Sequence, residues 1–130
     1  MLYHKQIIIK AFIKNPPKEE DKDLIRDWMR RLIENVNMNI VAGPFIEYVN
    51  AEGNEGLTGA VLIETSHASF HCWEKLDKPF IQFDLYSCAD FNTEIVLNMF
   101  NEFDVVHYDW LVIDRNEDPK VVERGKRTIY

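Results

Sequence analysis

The sequence predicts an α+β domain, a two-layer sandwich in which a mostly antiparallel sheet carries two helices on one face. Three observations predict it. Short runs rich in β-branched and aromatic residues recur along the chain, bounded by Gly, Pro and Asn. Two segments, Glu19 to Val36 and Asn92 to Phe103, instead carry apolar residues at spacings of three and four. Their order is strand, helix, three or four strands, helix, strand, a βαβββαβ-like series. At 130 residues, 46% of them hydrophobic and 12% aromatic, the chain has the size of one domain and enough apolar surface for a core.

Each element follows from its residues. Lys5 to Lys14 is short, β-branched and stopped by Asn15-Pro16-Pro17, which reads as a first strand. In the first helix Leu24, Ile25, Trp28, Met29, Leu32, Ile33 and Val36 form one stripe, with acidic residues early and Arg30-Arg31 late, as the helix dipole favours. Asn39 to Tyr48 reads as a strand interrupted by Gly43-Pro44, and Ala51 to Gly56 as a polar turn. Leu57 to Glu64, His67 to Trp73 and Pro79 to Cys88 follow as strands, the last alternating Ile81, Phe83 and Leu85 against Gln82, Asp84 and Tyr86. The second helix stripe is Ile95, Val96, Met99, Phe100 and Phe103, and Asp104 to Ile113 reads as the last strand. The domain is expected to span residues 1–114, with 115–130 a polar, loosely attached tail. A sheet with both helices on one face leaves the other in need of cover, which a homodimer would supply.

Composition excludes several function classes. A net charge of −7 argues against a nucleic-acid partner, since phosphate binding needs clustered Lys and Arg. No run approaches the roughly 20 apolar residues of a membrane span, and the opening Met-Leu-Tyr-His-Lys lacks the layout of a signal peptide, so a cytoplasmic location is expected. The 2 cysteines, Cys72 and Cys88, are too few for a disulfide framework.

The chemistry concentrates at Thr65-Ser-His-Ala-Ser-Phe-His-Cys-Trp73, where hydroxyls and imidazoles crowd between two apolar strands. Such groups are costly to bury without partners, so they form either a hydrogen-bonded network or a reactive site. On a regular strand His67 and His71 share a face about 13 Å apart, too far to ligate one metal ion, so no metal is expected. A serine hydrolase with Ser66 as nucleophile and a histidine as base lacks the Gly-x-Ser-x-Gly elbow. A polar strand at a dimer interface is the structural alternative.

Three ordered stretches carry more information together: Gly56-Leu-Thr-Gly59, then Thr65 to Trp73, then Phe83-Asp-Leu-Tyr-Ser-Cys-Ala-Asp90. This set resembles the prokaryotic S-adenosylmethionine decarboxylase proenzymes, in which a Gly-x-Ser-Gly turn precedes Glu-Ser-His-x-[ST]-x-His-x-Trp and an Asp-[LV]-[FY]-[TS]-Cys-Gly segment. The resemblance implies that fold and a self-made cofactor. Ser66 would attack the Thr65 carbonyl, and cleavage between 65 and 66 would leave a pyruvoyl group at position 66, replacing pyridoxal phosphate as the electron sink in a Schiff base with the substrate. His71 matches the acceptor of the serine α-proton, and Thr58 stands where a serine assists the rearrangement. Cys88 matches the acid that returns a proton to the product carbon. Trp73 matches an aromatic that stacks on adenine, with Phe45 or Tyr48 as its partner. The substrate would be S-adenosylmethionine and the product the aminopropyl donor of spermidine and polyamine synthesis.

The chain departs from the pattern in four places. Thr65 stands where the family has Glu, with Glu64 displaced by one; Glu74-Lys75 replaces Pro-Glu, so the resemblance would make Glu74, in a shifted position, the acid that holds the ribose hydroxyls; two residues are added between Trp73 and Cys88; and the turn before Gly56 is longer. Two alternatives stay open. One is a pyruvoyl decarboxylase of ornithine or arginine, with Glu64 or Glu74 pairing a distal cation. The other is a non-cleaving homologue that serves as a partner subunit.

Overall fold

The computed structural model describes residues 4–129; residues 1–3, part of the opening read above for a signal, and Tyr130 lie outside them. Seven strands form one sheet: β1 (Lys5–Ile13), β2 (Ile40–Val49), β3 (Gly56–Ile63), β4 (Ser66–Trp73), β5 (Phe80–Ser87), β6 (Val105–Asp114) and β7 (Lys120–Thr128). Their order is β2-β3-β4-β5-β1-β6-β7, with every neighbouring pair antiparallel. The first strand in sequence lies inside the sheet, paired with β5 on one edge and β6 on the other, and its alternation buries Ile7, Ile9, Ala11 and Ile13 on one face.

That face carries both helices, α1 (Lys22–Asn35) and α2 (Thr93–Met99), as the two apolar stripes predict. Trp28 of α1 is fully buried at the centre, its ring 5.0 to 5.9 Å from those of Phe70, Phe83, Phe100 and Phe103. Its indole N–H donates to the Met99 carbonyl at 2.8 Å, which satisfies the one polar atom a buried tryptophan carries. Both predicted helices are subdivided. Glu19–Asp21 is a 3-10 turn ahead of α1, and Phe100–Phe103 another after α2. Asn92 caps α2, accepting from the N–H groups of Glu94 and Ile95.

One expectation is corrected. The expected tail at 115–130 contains a strand: Lys120–Thr128, as β7, pairs with β6 from Asp114↔Lys120 to His107↔Thr128. The sequence hid it because β7 is an edge strand whose side chains are mostly exposed, so backbone pairing rather than alternating burial holds it. Gly125 lets the Trp110 ring lie across the strand, since a Cβ there would sit 2.1 Å from the ring. Arg127 covers that ring at 5.4 Å and pairs with Glu94 of α2 at 3.1 Å.

Opposite the helices, the sheet face presents Phe12 on β1, Thr58, Ala60 and Leu62 on β3, His67, Ser69, His71 and Trp73 on β4, and Phe80, Asp84 and Tyr86 on β5. No helix covers it among the described residues, and Leu62 on it is 49% exposed.

Candidate active site

The β3–β4 hairpin turns at Glu64-Thr65, with Ile63 opposite Ser66, so the Thr65-Ser66 peptide lies where the chain leaves a tight turn. Ser66 also pairs with Ser87 of β5, and its φ is 146°. That conformation suits glycine; a side chain held there stores strain on the order of 1–3 kcal/mol. The turn is gripped from β5. The Cys88 N–H donates to the Thr65 carbonyl oxygen at 2.9 Å. The Ser87 hydroxyl donates to Thr65 Oγ1 at 2.9 Å and accepts from the Ala89 N–H at 3.0 Å. Ser66 Oγ, in turn, lies 2.9 Å from His67 Nδ1.

Glu64 points away from this grip. Its N–H donates to the Asn39 carbonyl at 3.0 Å and its carboxylate accepts from Asn39 Nδ2 at 2.8 Å.

A second cluster occupies the other end of β3 and β4. Thr58 faces His71 across the pair, and its hydroxyl donates to the Phe70 carbonyl at 3.3 Å. The His71 ring meets Trp73 edge to face at 4.1 Å, Trp73 stacks on Phe80 at 4.8 Å, and the Trp73 N–H donates to Asn54 Oδ1 at 3.0 Å. His71 Nε2 is buried with no hydrogen-bond partner. Burial holds the imidazole below the usual histidine range, against a hydrogen bond to the Asn54 backbone that works the other way. A neutral, buried, unpartnered ring nitrogen is the state a proton acceptor needs. Gly56 keeps this end closed: its φ is 152°, and a Cβ would fall 1.7 Å from the Cys72 carbonyl oxygen.

Several residues expected to act together are thus apart. Ser66 and His71 are five positions apart on a strand of unbroken register, about 16 Å at about 3.3 Å per residue. Thr65, Ser66 and Cys88 form one cluster; Thr58, His71 and Trp73 form the other. Of the two aromatics suggested to pair with Trp73, Phe45 shares its face, through Ala60 and Ser69, and is 59% exposed. Tyr48 packs against the core on the helix side, where it meets Glu74. Glu74 is 8% exposed, with its carboxylate 3.2 Å from Lys18 Nζ. Its bond to Tyr48 pushes the phenol up to about 12. Cys72 is fully buried, and burial raises its thiol to about 12, which leaves it a packing residue. Sequence reasoning passed over Ser87, although it lies inside the motif that holds Cys88, Phe80, which strand register sets opposite Trp73, and Asn54, which the turn before β3 brings to the Trp73 indole.

A search of curated proteins returns no match. The solved adenosylmethionine decarboxylase from Aquifex aeolicus VF5 is similar in fold, with a TM-score of 0.60 and 18% identity over 85% of this chain and 88% of that one. A phage SAM lyase solved with S-methyl-5'-thioadenosine aligns at a TM-score of 0.43 and 10% identity, covering 96% of this chain and 89% of that one, too weak a likeness to carry an argument. The model of the S-adenosylmethionine decarboxylase family matches residues 5–116, which take in the β3–β4 hairpin, the grip from β5 and the His71 cluster, so the chain belongs to that family.

Proposed function

We propose that this chain is a self-processing decarboxylase of S-adenosylmethionine whose product serves as the aminopropyl donor of polyamine synthesis. The observation that carries this is the Thr65-Ser66 peptide: strained at Ser66, with its carbonyl oxygen already held by the Cys88 N–H. Attack by Ser66 Oγ on the Thr65 carbonyl moves charge onto that oxygen, and a donor fixed 2.9 Å away stabilises the charge without reorganisation. The residues fit a pyruvoyl group at position 66, since the bond to be broken is presented in a turn and a buried imidazole nitrogen without a partner is present to take a proton. Such a group supplies a ketone that accepts electrons released on decarboxylation.

The separation of Ser66 from His71 bears on the partner. A proton cannot cross about 16 Å in one step, so His71 serves a Ser66 of another copy. Two copies stacked through their uncovered sheet faces in opposite senses would set the Ser66 end of one against the His71 end of the other. A homodimer is therefore part of this proposal. No metal is needed for it.

In that assembly the Trp73–Phe80 stack and Phe45 form the wall for adenine, and Cys88 is the proton donor to the product carbon. Glu64 and Glu74, which would pair the distal cation of ornithine or arginine, are bound to Asn39 and to Lys18 and Tyr48, and the same ties draw Glu74 away from the ribose hydroxyls it was expected to hold. Intact mass under denaturing conditions and carbon dioxide release from adenosylmethionine test the proposal. Two chains, 1–65 and a pyruvoyl-capped 66–130, together with release, support it. One unsplit chain after long incubation overturns it in favour of a non-catalytic partner subunit.

A further inference from the structure

We propose that His67 is the general base that starts the processing, taking the hydroxyl proton of Ser66 as Oγ attacks the Thr65 carbonyl. The inference rests on the self-processing proposed above and adds a residue to it.

On a regular strand consecutive side chains project to opposite faces, so Ser66 and His67 should not touch. They do, at 2.9 Å between Oγ and Nδ1, and Ser66 has a φ of 146°. The strained backbone and the Ser-His contact occur at the same residue, and that residue is the one whose hydroxyl must react. A neutral imidazole is a suitable base near neutral pH, provided its remaining proton sits on Nε2 so that Nδ1 is free to accept. His71, about 16 Å away along the same strand, is not in reach of this hydroxyl in its own chain.

The surroundings of His67 leave it open. On β3 it faces the apolar Leu62, and on β5 it faces Tyr86, 6.0 Å between ring centroids. Behind Tyr86 stand His4, whose Nδ1 is 2.7 Å from the phenol oxygen, and Arg115, 4.0 Å above the ring. Asp84, the nearest carboxylate along β5, is bonded to Ser69 and Gln6. No carboxylate is paired with the His67 ring among the described bonds, and its Nδ1 is bonded to Ser66 Oγ.

The step balances. The Ser66 Oγ–H proton goes to His67 Nδ1 as the Oγ–C bond to Thr65 forms, and the carbonyl oxygen takes the negative charge beside the Cys88 N–H. The C–N bond of the Thr65-Ser66 peptide then breaks, and the protonated His67 returns its proton to the Ser66 nitrogen. The result is an ester between Thr65 and Ser66 with a free amine, and nothing is oxidised or reduced. His67 is regenerated before the elimination that follows.

The full-length chain, with His67→Ala, His67→Gln and wild type followed by intact mass with and without hydroxylamine, tests this, because hydroxylamine opens an ester and leaves an amide. In both variants we expect cleavage slowed by about 100-fold, an uncut chain that hydroxylamine does not split, and partial recovery of His67→Ala by added imidazole. Cleavage of either variant at the wild-type rate overturns the role of His67 and leaves the self-processing intact. Accumulation of a hydroxylamine-sensitive chain also overturns it, since the ester would then form without His67. Slow cleavage that imidazole does not restore, with a lowered melting temperature in both variants, assigns a structural role instead. A wild-type chain that never splits overturns this inference and the self-processing together.

Discussion

The Cys88 N–H donates 2.9 Å to the carbonyl oxygen of Thr65, so the backbone of one expected catalytic residue holds the bond that the other side of the site would break. Backbone and side chain of Cys88 are therefore separable. Cys88→Ala keeps the N–H and should split at a rate within about threefold of wild type, while carbon dioxide release falls by about 100-fold because the proton donor is gone. Intact mass and release of labelled carbon dioxide, run on the same preparation, check both halves; loss of splitting would remove the backbone role.

Ser66 and His71 are held apart, and a site shared between two copies makes a distinct demand. Ser66→Ala and His71→Ala should each stay unsplit when produced alone. Produced together with different tags, the His71→Ala chain should be cut, because the Ser66→Ala partner lends its His71. Failure to cut in a mixture shown to form heterodimers would place the whole site in one chain.

Burial depresses the His71 pKa from its ordinary 6.5, so the folded ring stays neutral to lower pH than the unfolded one. Below the unfolded pKa the unfolded chain binds the proton first and the fold is disfavoured, whereas well above it His71 contributes no pH dependence. The ring-proton titration of His71 should have its midpoint below 6.5, and the penalty at mildly acidic pH should be absent in His71→Asn.

Glu74 is nearly buried and tied to Lys18 and Tyr48. Glu74→Ala leaves that pair without its acceptor and should cost about 2 kcal/mol of stability, roughly an 8 °C fall in Tm. Trp73→Ala should behave differently, raising KM for adenosylmethionine by roughly 3- to 10-fold through the lost stacking. Melting curves and initial rates separate the two; a Glu74→Ala protein with unchanged Tm would return that residue to substrate binding.

Ending the chain after Asp114 should lower Tm by roughly 10 °C or more, because β6 loses its ladder partner and Trp110 its cover. Unchanged melting would restore 115–130 to the status of a tail.

The sequence by itself determined the two layers, six of the seven strands, both helices and the family, because these rest on local information: alternation of two, spacing of three to four, and ordered motifs. It also marked Ser66, His67, His71 and Cys88 as residues worth asking about. Only the tertiary structure decided how they are grouped. Register set Thr58 against His71 and Phe80 against Trp73, and divided Ser66 from His71, since a strand fixes distance along its length that a motif string does not express. It turned Tyr48 to the helix side by side-chain parity and set Glu74, just past the end of β4, against it. It made a strand of the polar end, whose pairing depends on backbone groups common to every residue and so leaves little trace in side-chain pattern. And it gave Ser66 the strained φ that sets its hydroxyl against His67, a property of one dihedral angle that no residue type announces.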